Sequence, residues 1–207
     1  MANDDWIAAR GGLLPLQFPF GNYRKNYYRV TTGAAAHNVF IGMPVDLAAT
    51  GYVDVYTIGS NNLSIGPVVG FADTNRAALP SAMHSLSQGA YLPGNTDAYV
   101  LVADDPNQLF VLQEDTGGTA LTAAAGGLSA WVAYRSTSGN TTTGYATVEI
   151  DRSVTASSGT DGLVQLIGPL DGPINSDGTL NAPGNYCKWV VRIFNHRYAN
   201  ARVGGLI

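Results

Sequence analysis

Residues 98–115 read AYVLVADDPNQLFVLQED. Two apolar runs rich in Val, Leu, Tyr and Phe, each too short for a helix, flank Asp104-Asp105-Pro106-Asn107, and Glu114-Asp115 closes the stretch. Runs of that length bounded by Asp, Asn and Pro read as strands. Pro106 fixes its own φ and pushes the residue before it to extended backbone, so the expectation is a hairpin from Ala98 to Gln113 that reverses at the proline. Both strands are apolar on both faces, which predicts burial, and the four carboxylates are expected at solvated strand ends. The competing reading, paired carboxylates dividing acid and base roles, needs environments that push their pKa values apart. Here only the composition points that way.

Working outward, helical spacing is poor throughout, because Gly, Thr or Pro interrupts almost every window. Residues 76–88, RAALPSAMHSLSQ, fit a helical turn or two or a loop, with Pro80 inside them. Strand-like runs are far commoner. They lie near Tyr27–Thr31, Val53–Ile58, Ile65–Phe71, Ala98–Ala103, Leu109–Gln113, Ser129–Tyr134, Ala146–Ile150, Leu163–Ile167 and Trp189–Phe194. The predicted class is all-β, a β-barrel or β-sandwich with long loops, little helix and an extended N-terminal arm. Residues 1–26 form the arm and 27–115 a first β domain. A Gly/Ala-rich crossover follows at 116–128, and 129–207 is a second β group that packs with the first or forms a small domain of its own. Two further segments, STSGNTTTG after Tyr134 and PLDGPINSDGTLNAPGN before the last strand, read as flexible.

Composition limits function. Of 207 residues only 13 % are charged while 45 % are hydrophobic, so solubility rests on uncharged polar groups and a real core is available. A net charge of −4 offers no basic face to neutralise phosphates, and nucleic-acid binding is not expected. The opening MANDDWIAAR carries acids where a secretory signal needs positive charge, and GLLPLQFPF is broken by Pro15 and Pro19. Neither an export signal nor a membrane span is expected. Cys187 is the single cysteine, which rules out an intrachain disulfide and a thiolate cluster and predicts synthesis in a cytoplasm. The sequons at Asn62 and Asn140 then carry no weight.

The order of AYVLVADDPNQLFVLQED, a Gly-rich loop and NYCKWVVRIFNHRYAN resembles the decoration, or cement, proteins on the heads of some tailed bacteriophages. The matching residues are Asp104, Asp105, Pro106, Phe110, Gln113 and Asp115, then Asn195, His196 and Tyr198. The region from YYRV to GMPV, with Gly42, Pro44 and Val45, agrees, so the likeness runs from about Tyr27 to Tyr198. It implies a non-enzymatic virion protein, made in the host cytoplasm, that sits on the capsid surface, binds the major coat protein and associates as a homotrimer.

No catalytic, metal or cofactor-binding residues are expected. His37, His84 and His196 stand far apart, and none has a histidine or cysteine at ligand spacing. His196, just after VVRIF, reads as a hydrogen-bonding cap rather than a base. No Gly-x-Ser-x-Gly elbow occurs, and the Gly-Gly pairs lack a following Lys-Ser/Thr. Trp6, Trp131 and Trp189 with eleven tyrosines favour the rival reading of a carbohydrate- or receptor-binding module of a tail fibre or spike, although core packing accounts for Trp131 and Trp189. In the arm, Trp6, Leu13, Leu14, Leu16, Phe18 and Phe20 are apolar surface without a helix to carry them. They are expected to anchor on a neighbouring subunit or coat protein, with Arg24 and Lys25 at the rim. The alternative is that the arm folds back on its own β body.

Overall fold

The structure, a computed structural model, describes residues 3–5, 11–16, 24–30, 37–57, 62–75, 91–154, 156, 162–172 and 175–199. It is all-β. The strands are β1 (Leu14–Pro15), β2 (Asn26–Val30), β3 (Val39–Phe40), β4 (Pro44–Leu47), β5 (Val53–Val55), β6 (Gly66–Ala72), β7 (Tyr91–Leu92) and β8 (Ala98–Val102). They continue with β9 (Leu109–Gln113), β10 (Ser129–Ala130), β11 (Val132–Gly139), β12 (Ala146–Ile150), β13 (Val164–Pro169) and β14 (Lys188–Ile193). One turn of 3-10 helix, Ala123–Ala125, interrupts them. The expected helical turns at 76–88 lie outside the described residues.

Two five-stranded sheets dominate, in the orders β1-β9-β14-β13-β10 and β2-β8-β6-β4-β5, with β11-β12 and β3-β7 as two-stranded companions. All the ladder pairings are antiparallel. None of the sheets closes into a barrel. The first sheet draws on the arm (β1), the first group (β9) and the second group (β10, β13, β14), so the two sequence groups interleave in one sheet. A single apolar core runs through both sheets, from Leu13 and Val45 to Trp189 and Ile193.

The hairpin expected over Ala98–Gln113 does not form. β8 pairs with β2 and β6, whereas β9 pairs with β1 and β14. Each strand is buried on its inward positions and needs a neighbour on both edges, and in this chain those neighbours come from different sheets. The Asp-Asp-Pro turn is real: Asp105 Oδ1 accepts the Asn107 amide (2.9 Å) and its carbonyl accepts the Gln108 amide (3.0 Å). It carries the chain from one sheet to the other. A turn signal reports that direction changes, not that the flanking strands pair.

Residues 136–139, the first part of the STSGNTTTG stretch read as flexible, continue β11 along β12, with a register shift between Tyr134 and Gly139. A Cβ on Gly139 would fall 2.2 Å from the Phe40 ring, so this glycine lets β3 pack against the irregular end of the ladder. The described part of the loop before β14 is tied down by hydrogen bonds. The Asn181 side chain donates to the Leu170 and Lys188 carbonyls (2.9 and 2.8 Å) and accepts the Lys188 amide (2.9 Å), replacing a strand partner with a carboxamide.

The arm folds back over its described part. Leu13 is fully buried in the chain's own core, β1 extends the edge of β9 with Leu14 opposite Val111, and the Leu16 amide donates to the Leu109 carbonyl (2.9 Å). Gly12 (φ +88°) crosses Gly42 (φ +81°) backbone against backbone, and a Cβ on Gly12 would lie 2.7 Å from the Gly42 carbonyl oxygen. Leu13, expected as a partner anchor, is therefore consumed within its own subunit, because Gly11-Gly12 permits a close crossing rather than a free hinge. Leu14 and Leu16 are half-buried there. Trp6, Phe18 and Phe20 lie outside the described residues.

Candidate functional site

Three polar clusters stand out because they bury charge in a chain that has little of it. The first assembles the sequence-nominated motif. Asp104 is 1 % exposed, not solvated as its place at a strand end predicted. Its Oδ1 accepts Arg24 Nε (3.0 Å), and its Oδ2 accepts Asn26 Nδ2 (2.8 Å) and Tyr28 Oη (2.6 Å). Tyr28 Oη in turn lies 3.0 Å from Tyr198 Oη. Burial alone would raise the Asp104 carboxyl, but the donors from Asn26, Tyr28 and Arg24 outweigh it and hold it below the usual carboxylate range. The Tyr28 phenol is pushed up, by burial first and then by its bond to Asp104.

The C-terminal half of the motif locks onto the same region. Asn195 Nδ2 donates to the Gly162 carbonyl (2.8 Å), the Ser64 amide donates to the Asn195 carbonyl (2.9 Å), and Arg197 grips Asp46 with both a 2.7 Å and a 2.5 Å bond. His196 is fully buried, accepts the Tyr198 amide on Nδ1 (3.1 Å), and is held below its ordinary pKa by burial. It caps the chain after β14, as a hydrogen-bonding histidine does. Asp104, Asn195, His196 and Tyr198 thus form one lock that joins residues 24–28, 104 and 195–198. Asp105 and Pro106 shape the turn beside it, and Phe110 is core. Lys25 is exposed.

A second cluster lies under the Gly/Ala crossover. Glu114, fully buried, accepts Trp189 Nε1 (3.1 Å) and Arg152 Nη1 (3.3 Å), and Arg152 also reaches the Asp115 and Gly118 carbonyls (2.9 and 3.0 Å) and Asn185 Oδ1 (3.0 Å). Burial pushes Glu114 up to about 7 against the pull of Arg152 and Trp189. Trp189 is core, with its indole N–H satisfied. A cavity of about 490 Å³ opens beside Arg152, walled by Leu121, Ala125, Leu128 and Val154. Thr119, Thr122 and Ser153 share its wall with these apolar side chains; both Nη atoms of the guanidinium bond to the protein, whereas its buried Nε has no hydrogen-bond partner among the described residues.

The third cluster receives residues 3–5. Asn3 Nδ2 donates to the Ala182 and Asn185 carbonyls (2.7 and 3.0 Å), and its Oδ1 accepts the Ala182 amide (3.1 Å). The Asp4 amide donates to Asn175 Oδ1 (3.0 Å), its carboxylate accepts the Ser176 amide (2.5 Å), and its carbonyl accepts Lys188 Nζ. Asp5 accepts Gln113 Nε2 (3.0 Å) and Arg135 Nη1 (2.5 Å). Beneath lie buried Glu149, bonded to Gln113 and Arg135 (3.0 and 2.6 Å), and Lys188, which burial pushes down to about 8 although Asp4 pulls it back up. Gln113, nominated as part of the motif, belongs here rather than to the first cluster, while Asp115 belongs to the second.

Asn3, Asp4, Asp5, Arg135, Glu149, Arg152 and Lys188 were not singled out from the sequence. For Arg135, Glu149 and Lys188 the signal was charge inside or beside strand-like runs, as in ATVEI and KWVVRI, where a charge among apolar neighbours needs a buried partner; Asn3, Asp4, Asp5 and Arg152 carried no such local signal. Among the described residues no group of three or more His, Cys, Asp or Glu side chains is placed to hold a metal ion. No known family model, no characterised protein and no solved structure matches this chain.

Proposed function

We propose that the chain is a non-enzymatic structural protein that binds the outside of a phage capsid, clusters as a homotrimer and stabilises the shell by bridging coat subunits. The observation that carries the reading is the destination of the motif. Of the residues that resemble those of head-decoration proteins, Asp104 from the middle of the chain and Asn195, His196 and Tyr198 from near its C-terminal end meet at one lock, where their work is to hold loops in place. A body whose charges are spent on internal fastening suits adhesion. A protein that binds the assembled shell and not its separated subunits stabilises the shell by mass action, about 2.7 kcal/mol per site at a hundredfold excess over Kd. The test is to add purified protein to heads lacking it, then measure co-sedimentation, the temperature of DNA release and the cryo-electron density. Added density on the outer surface in threefold clusters with a raised release temperature is expected. Heads that neither bind the protein nor change their release temperature refute the reading.

One observation favours a second reading. On the exposed edge strand β2, Tyr27 (44 % exposed) meets Tyr99 edge-to-face at 6.5 Å, and Arg29 lies over the Tyr52 ring at 5.8 Å. Such a tyrosine and arginine face suits a sugar. Capture on a glycan array, lost in Tyr27→Ala and without any binding to heads, identifies a carbohydrate-binding module instead.

A further inference from the structure

The cleft that holds Asn3-Asp4-Asp5 is built for a peptide. Its walls are the Asn175–Asn185 loop and the ends of β9 and β14, and its floor carries Lys188, Glu149 and Gln113, all buried with the segment in place. Recognition is specific at each position. The Asn3 carboxamide both donates to and accepts from the backbone at Ala182. Asp4 is read through its amide, carbonyl and carboxylate, and the Asp5 carboxylate bridges Gln113 and Arg135. The acidic segment meets a cleft with two cations, Lys188 and Arg135, against one carboxylate, Glu149, so the charge on balance is complementary.

The seated segment and the body are joined loosely in sequence terms. Leu13 and β1 are committed to their own core, so Gly11 and Gly12 mark where the chain is pinned. Six residue steps separate Asp5 from Gly11, which spans up to about 20 Å when extended. A cleft on an adjoining copy within that reach presents the same atoms as the cleft on the chain's own body. Exchange of an identical element costs no new contacts, and it competes well once copies are held side by side, where the effective concentration of a neighbour's segment is on the order of millimolar.

The geometry points to a second copy of this chain as the cleft's occupant in the assembled state: the Asn3-Asp4-Asp5 segments are exchanged between neighbouring copies, while the crossing at Gly11-Gly12 stays on each copy's own body. This deepens the self-association in the reading above and rests on that part of it, not on capsid binding. The test uses cysteines on different chains. Asn3 and Asn175 side-chain amides lie 3.5 Å apart, so one full-length preparation carries Asn3→Cys and a second, differently tagged, carries Asn175→Cys. The buried Cys187 is left in place, with the parent chain as its control. The two are mixed, concentrated until light scattering shows assembly, and oxidised. Exchange gives disulfide-linked heterodimers that carry both tags, and Asp5→Ala on the first preparation lowers their yield about tenfold or more, through loss of the bonds to Gln113 and Arg135. Two results overturn the inference. One is assembled protein in which the mixed single variants stay unlinked while Asn3→Cys/Asn175→Cys on one chain closes internally. The other is cross-linking that Asp5→Ala leaves unchanged. Head binding is scored separately on the parent protein, so a failure of exchange with normal decoration leaves the capsid reading standing.

Discussion

Replacing Asp104 and Asp105 separately distinguishes the lock from the turn. The two residues are adjacent and identical, yet Asp104→Ala removes the acceptor of Tyr28, Asn26 and Arg24, while Asp105→Ala removes one bond to the Asn107 amide. A hydrogen bond to a buried charge is worth about 1.5–3 kcal/mol. The Arg24 side chain is 51 % exposed, so its ion pair contributes at most about 1 kcal/mol after screening. Asn26 can regain water. The expected loss is therefore about 3 kcal/mol for Asp104→Ala, against about 0.5–1 kcal/mol for Asp105→Ala, whose cost is that of a turn residue. Urea unfolding followed by tryptophan fluorescence measures both, with m unchanged if only the native state is weakened. Tyr28→Phe should cost about 1.5–2 kcal/mol, and most of its effect should vanish in the Asp104→Ala background because the two share one bond. Equal losses at 104 and 105, or additive losses for Asp104 and Tyr28, refute the lock.

Stability should also follow pH through two buried groups. Glu114 has its carboxyl raised to about 7, so its contribution is full below its unfolded value and is lost as pH rises to 7, about 3 kcal/mol in all; Glu114→Gln should flatten that fall in denaturant titrations at fixed pH. Lys188 is depressed to about 8, so its contribution is present above its unfolded value and is lost as pH falls through 8; Lys188→Met should remove the rise on the alkaline side. Asp104, held below the usual range, adds a loss only at strongly acid pH. Gly12→Ala should cost about 2 kcal/mol or more, from its positive φ and the clash with Gly42, and should speed hydrogen exchange at the Leu13 amide; unchanged exchange argues against the crossing. Cys187, buried with its thiol pushed up to about 12, should resist thiol reagents until the protein unfolds.

Period and punctuation alone were enough to read the all-β class, and two strands, Leu109–Gln113 and Ala146–Ile150, have the boundaries read from the sequence. The strands that escaped are β1, β3 and β7, of two residues each, and β4, which opens on Pro44. None has enough residues to show alternation, and each is held by tertiary contacts rather than by propensity. Pairing was the harder problem. Nothing local to Ala98–Gln113 says that β14, almost eighty residues on, is the partner of β9. The motif residues were legible as a group, but not as members of three clusters, a turn and the core. Their surroundings were misjudged because strand ends were equated with solvent, whereas Asp104 and Glu114 end their strands inside the protein. The asparagines of the loop before β14 were passed over as flexible because a carboxamide that substitutes for a strand partner has the same composition as a linker.

The position of β9 has a consequence for how the chain reaches its native state. It is flanked by β1 and β14, so Leu14 must find Val111 and Trp189 must find Leu112 before the first sheet exists. Neither contact can form by local zippering, and each closes a long loop before any ladder energy is returned. High contact order of this kind puts folding on a timescale of milliseconds to seconds, and it delays the first sheet until residues 188–193 have left the ribosome. Until then β9, apolar on both faces, has neither edge covered, and that interval is when the chain is most prone to pair with another copy at the wrong strand.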